Sequence, residues 1–159
     1  MLVLAAGNDA RGDDAAGPWV LARVVERGLP GVRTLFDFQF QVEHALDVLD
    51  AALVLFIDAD LSRASGAGLA EVFPGAGPGA GSHALTPDQV LAVCVQLGQV
   101  PPPAFVLSIA ASACELGAPM SDITEAACRQ ALRLIDDLLI TPDPAPWRRR
   151  CAGRRITGT

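Results

Sequence analysis

Seven apolar residues in a row, Ala51-Ala52-Leu53-Val54-Leu55-Phe56-Ile57, form the most hydrophobic stretch of the chain. The run is short, β-branched and bounded by acids, which predicts the central strand of a parallel sheet, buried on both faces. Leu2-Val3-Leu4-Ala5 predicts a first strand, residues 32–38 a second, and residues 104–109 the last. Residues 68–73 alternate in character and read as an edge strand. Between these runs the apolar spacing turns helical. Residues 18–27 carry Leu21, Val24 and Val25 as a stripe, with Pro18 suited to the first helical position. Residues 41–50 carry Val42, Ala45, Leu46 and Leu49. Thr86-Pro87-Asp88-Gln89 has the form of a capping box and opens a helix to about residue 97. A longer helix runs from a cap at Ser121 or Asp122 to about residue 140, with Ile123, Ala127, Leu134, Ile135 and Leu138 as its buried face. His44 falls one residue off the stripe of its helix, which favours a surface position.

The punctuation of this pattern is most unusual between residues 7 and 17, Gly7-Asn8-Asp9-Ala10-Arg11-Gly12-Asp13-Asp14-Ala15-Ala16-Gly17. Three glycines bracket two adjacent acids directly after the first strand, where open α/β sheets place their ligand sites. One acid can face a cleft while the other caps the helix; both can also be caps, since Asp is favoured at helix starts. Asp58 ends the most buried strand. A carboxylate is costly to strip of water, so a role beyond packing is expected there. Strand 51–57 is expected beside the first strand, which brings Asp58 near the Asp13-Asp14 loop. His83 follows the Gly-rich loop at 74–81 and precedes the capped helix, so it is expected at the same edge of the sheet.

Composition narrows the chemistry. The chain has 159 residues, 51% hydrophobic and 19% charged, which suits one globular domain. Its net charge of -6 argues against nucleic acid as a partner. All basic residues are Arg, so no lysine chemistry is available. Cys94, Cys114, Cys128 and Cys151 form no C-x-x-C pair; Cys94 and Cys128 read as small buried hydrophobes. No signal peptide and no apolar run long enough to cross a bilayer is seen, so a cytoplasmic location and no membrane partner are expected. The organisation expected is one α/β domain over residues 1–140 and a loosely attached, solvated Pro/Arg-rich tail over residues 141–159.

Asp14, Asp58 and His83 together make a plausible site for a divalent transition metal with open positions. Ser82, Ser108 and Ser112 are possible nucleophiles for a triad, but no G-x-S-x-G elbow is present. The loop at 7–17 lacks the G-x-G-x-x-G spacing of a dinucleotide site and the lysine of a phosphate loop.

Gly7-Asn8 with Asp13-Asp14 and Gly17, Asp58-Ala59 at the end of an apolar strand, and Ser82-His83 with Leu85 resemble the hydrogenase maturation proteases. The likeness spans residues 2–139 in the family's motif order. Residues 37–47, with Gln39-Phe40-Gln41 and Glu43-His44-Ala45-Leu46, further resemble the branch serving cytoplasmic, NAD-coupled hydrogenases. The resemblance implies a three-layer α/β fold, a twisted, mostly parallel sheet with helices on both faces. It implies a nickel-dependent endopeptidase that removes the C-terminal extension of the nickel-iron hydrogenase large-subunit precursor. Asp14, Asp58 and His83 match the family's metal-binding and catalytic positions, the metal being nickel presented by the substrate, with no organic cofactor. In one mechanism that metal acts on the peptide bond; in another it only docks the substrate, and a carboxylate is the general base, with Asp13 the nearest candidate. A non-enzymatic nickel-dependent checkpoint or chaperone for the same precursor is the alternative function. Asp9-Ala10 and Ser108-Ile109-Ala110-Ala111 depart from the family pattern.

Overall fold

The computed structural model describes residues 1–77 and 84–152. Its frame is one five-stranded sheet in the order β2-β1-β3-β5-β4. The strands are β1 (Leu2–Ala6), β2 (Arg33–Asp37), β3 (Val54–Asp60), β4 (Ala67–Val72) and β5 (Ala104–Ala110). All neighbours run parallel except β4, which closes one edge antiparallel to β5. Residues 54–57 of the apolar run supply the buried part of the middle strand, which does not end there as expected but continues through Asp58 to Asp60 because these residues also pair with β5; residues 53–57 are fully buried.

Among the described residues five α-helices cover the sheet: α1 (Ala16–Glu26), α2 (His44–Leu49), α3 (Pro87–Gln96), α4 (Asp122–Ile135) and α5 (Pro144–Ala152). Val3, Ala5, Leu55 and Ile57 face α1, α4 and α5 in one core layer. Leu2, Leu4, Val54 and Phe56 face α2 and α3 in the other. Odd and even strand positions thus feed opposite layers, as the two-residue period of a strand requires. The expected capping box is present, with the Thr86 and Gln89 side chains each bonded to the other's backbone. Cys94 and Cys128 are buried.

Three expectations are corrected. Val25, Val42, Leu46 and Ile123 are exposed, and the buried faces are instead Val20–Leu21–Val24 in α1, His44–Ala45–Val48 in α2, and Thr124–Ala127–Cys128–Ala131–Ile135 in α4. In α4 the phase is set by Thr124, whose hydroxyl donates to the Ala110 carbonyl at 2.9 Å. His44 is buried, because its Nδ1 accepts the Gln41 backbone N–H at 2.9 Å and its Nε2 lies 3.5 Å from Asp37 Oδ2. The tail is not loose up to Ala152. Residues 144–152 form α5, Trp147 is fully buried with its ring 5.3 Å from that of Phe105, and Arg148 and Arg150 pair with Glu71 and Asp137. One large aromatic docks a segment of Pro- and Arg-rich composition, since a buried Trp removes about 150–250 Å² of surface from water. Among the described residues no helix is long and apolar enough to cross a membrane.

Candidate functional site

The sheet order places the chain's reversal between β1 and β3: one connection leaves β1 toward β2, and β3 continues toward β5. A crevice opens at the carboxyl ends of two strands that diverge in this way. The 7–17 loop folds into it. Gly7 turns with φ 141°, and its N–H donates to the Asp37 carbonyl at 3.2 Å. A 3-10 turn (Gly12–Ala15) follows and runs directly into α1. Gly17 is needed for close approach: a Cβ there would collide with the Ala6 carbonyl, so α1 starts hard against the end of β1.

This geometry sends the two adjacent acids to different places. Asp13 points inward and is buried. Its Oδ2 accepts from Ser112 N at 2.8 Å, Ser112 Oγ at 2.9 Å, Ala113 N at 3.2 Å and Ser121 Oγ at 3.0 Å, and its Oδ1 accepts from Ser121 N at 2.7 Å. Burial alone would raise its proton affinity, but the donors of Ser121 and Ser112 outweigh it and hold the carboxyl far below the usual carboxylate range. The expectation that Asp13 is a general base is therefore corrected. It is an ionised clasp that ties the loop to the segment after β5.

Asp14 and Asp58 share the crevice. Burial pushes the Asp14 carboxyl above its ordinary value, against the Asn8 backbone N–H and the Arg11 charge. Burial also raises Asp58, the Ala59 backbone N–H offsets part of this, and the charges of Asp14 and Asp60 push it further, to about 6. Asp58 lies within β3, paired with Ser108 of β5. Two carboxylates that resist ionisation side by side form a donor set suited to a divalent cation, which would relieve the repulsion.

His83 lies outside the described residues. Two residues on, the Leu85 N–H donates to the Phe40 carbonyl at 2.9 Å, just beyond β2. His44 stands at the carboxyl end of β2, on the same edge as the crevice, but its ring is already held by Gln41 and Asp37. Among the described residues no three His, Cys, Asp or Glu side chains converge as a metal-binding group. Of the serines considered as nucleophiles, Ser112 is spent on Asp13, Ser108 is in register with Asp58, and Ser82 lies outside the described residues.

Two neighbours were not singled out in the sequence. Cys114 feels the charges of Asp14 and Asp13, and burial first, then those charges, raise its thiol above the ordinary value, so it is protonated. Arg63, three residues after β3, carries the positive charge near Asp60. Nothing in the local sequence marks either; Arg63 is brought in by the segment after β3 and Cys114 by the segment after β5.

No family model matches the chain, and no curated protein matches its sequence. Solved structures do resemble it. The hydrogenase maturating endopeptidase HybD from E. coli superposes with a TM-score of 0.66 at 19% identity, covering 87% of this chain and 90% of that one. The [NiFe] hydrogenase maturation protease HycI from Thermococcus kodakarensis gives 0.65 at 26% identity over 89% and 93%. The [NiFe] hydrogenase maturation protease HybD from Thermococcus kodakarensis gives 0.58 at 18% over 86% and 97%. The three-layer, mostly parallel α/β fold is shared with these endopeptidases along most of both chains.

Proposed function

We propose that this chain is a processing endopeptidase that removes the C-terminal extension from the large-subunit precursor of a nickel-iron hydrogenase. The observation that carries the proposal is the Asp14–Asp58 pair in the crevice between β1 and β3, each carboxyl held above its ordinary value. The likeness to the maturation endopeptidases supports the reaction class. In this reading nickel arrives in the precursor as part of the substrate. Asp14, Asp58 and His83 complete its coordination, and recognition is thereby tied to a finished metal centre. A bound divalent metal polarises a carbonyl or lowers the pKa of a water. Asp13 is unavailable for proton transfer, because its oxygens are engaged by five protein donors. Uptake of a proton from water therefore falls to the ligand set itself, Asp14, Asp58 or His83. Before nickel arrives, burial and the charges of Asp14 and Asp60 raise Asp58 to about 6, so near pH 7 it is mostly ionised and ready to ligate.

The test is incubation of the purified chain with nickel-loaded and nickel-free precursor. Cutting is expected only of the loaded form, seen as a mobility shift. Asp14→Ala, Asp58→Ala and His83→Ala should each abolish it while leaving the fold intact. A stable complex with loaded precursor and no cleavage would establish the checkpoint or chaperone instead. Full-rate cutting by His83→Ala would remove that residue from the site.

A further inference from the structure

We propose that Arg63 and the cavity beside it form a carboxylate-binding subsite for the precursor, about three residues from the bond that is cut; this rests on the endopeptidase reading. Arg63 leaves the end of β3, its backbone N–H donating to the Asp60 carbonyl at 3.3 Å. Its guanidinium folds back over Gly68 of the edge strand β4, where any Cβ would collide with it. The missing side chain at Gly68 is therefore what gives the guanidinium its seat.

The guanidinium is seated but unspent. Its Nε is buried with no hydrogen-bond partner. Its nearest acid among the described residues is Asp60, 4.0 Å away at Oδ2, while Asp60 Oδ1 already accepts the Ser62 N–H at 2.9 Å and hydroxyl at 2.5 Å. Arg33, Arg129, Arg148 and Arg150, by contrast, reach acids at 2.7 to 2.8 Å. A planar fork held in place without a short partner suits a bidentate carboxylate arriving from outside.

The cavity gives that carboxylate room and direction. It measures about 390 Å³ and is lined by Arg63, residues 65–70, Ser108 and Gln130. Gln130 closes one wall, its Oε1 accepting the Ala67 N–H at 3.2 Å. Gly68 pairs with Ser108, and Ser108 with Asp58, so all three lie on one face of the sheet in one row. Two strand spacings of ~4.8 Å separate Asp58 from Gly68, the reach of about three extended residues. Arg63 is the one charged side chain among the described residues that line this cavity, so a carboxylate entering it is directed to the guanidinium and finds no second cation along the wall. That single anchor fixes the register of an incoming chain.

The carboxylate is an acidic side chain of the precursor's C-terminal segment or the terminal carboxyl itself. The test is a double-mutant cycle on nickel-loaded precursor. Arg63→Gln should raise KM roughly 10- to 100-fold with kcat within about twofold, and Arg63→Lys should recover part of the loss. On the enzyme with Arg63 intact, one precursor with acidic side chains of that segment changed to amides, and another with its terminal carboxyl amidated, identify the source: one of them loses the same factor, and loses nothing more with Arg63→Gln. An unchanged KM in Arg63→Gln overturns the subsite, as do enzyme and substrate losses that simply multiply. A chain that binds precursor without cutting overturns the endopeptidase reading alone, and the same cycle read on Kd then decides Arg63. A chain that neither cuts nor binds overturns both.

Discussion

Asp13 and Asp14 are neighbours in one turn, yet they stand at opposite extremes of carboxylate chemistry. Asp13 is ringed by five donors and stays ionised. Asp14 opens onto a crevice whose other occupant, Asp58, is a second acid, and both resist ionisation. The two carboxyl groups are equally acidic in water, so the contrast comes from the number of donors each meets after folding. A donor-rich pocket turns an acid into a rivet; a donor-poor one leaves it hungry for a cation or a proton. The stable region holds the reactive one in place.

The strongest way to break this contrast is at Asp13. Asp13→Ala strands the donors of Ser112, Ala113 and Ser121, and should cost about 4 kcal/mol, read as a lower midpoint in denaturant. The charge matters as well as the shape. Because the folded carboxyl releases its proton below the unfolded value, its contribution is present above about pH 4 and fades as pH falls below that. A loss of under about 1 kcal/mol would mean the pocket is not a clasp.

Trp147→Ala is expected to cost about 3 kcal/mol by emptying the site against Phe105, and truncation after Thr141 should cost at least as much. Trp147 packs at the amino end of β5, far along the strand from Ser108. Its loss should leave the metal affinity of the surviving folded protein unchanged, which isolates the crevice from global stability. A truncation that leaves the thermal midpoint in place would restore the picture of a loose tail.

Asp58→Asn probes the reactive side and should act with the opposite sign. The folded chain holds this proton until about pH 6, whereas the unfolded chain releases it near 3.9. Stability therefore falls as pH rises from about 4 to about 6 and stays lower above. The amide escapes this, so the variant should gain about 2 kcal/mol at pH 7 and nothing near pH 4. Urea midpoints at the two pH values decide it, and a gain of equal size at both would assign the effect to packing. Asp14→Asn should show the same pattern to a smaller extent.

Much of the frame was legible because it depends on local signals. The run at 51–57 named its own place, and Thr86 with Gln89 fixed a helix start from two positions three apart. The adjacency of β1 and β3 then carried Asp58 to Asp14. What was illegible depends on partners far along the chain. Asp13 finds Ser112 and Ser121 across about a hundred residues, and no pattern at 7–17 announces them. Trp147 hides in a segment whose composition is that of a tail. The phase of α2 is set by a side-chain bond from His44 to the turn before it, which apolar spacing cannot express. His83, expected at the same edge of the sheet, lies outside the described residues.

The clasp on Asp13 also has a consequence in time. It joins residues separated by 99 and 108 positions, and contacts of such separation form late, after the loop between them has been closed at an entropic cost. A chain growing from its amino end can pair β1 with β2 and β3 before the segment carrying Ser112 and Ser121 exists. Asp58 then has its place in β3, but the turn that carries Asp14 is not yet pinned. The clasp therefore closes only after most of the sheet is in place, so a half-made chain carries the acids of the crevice before Asp13 is tied down.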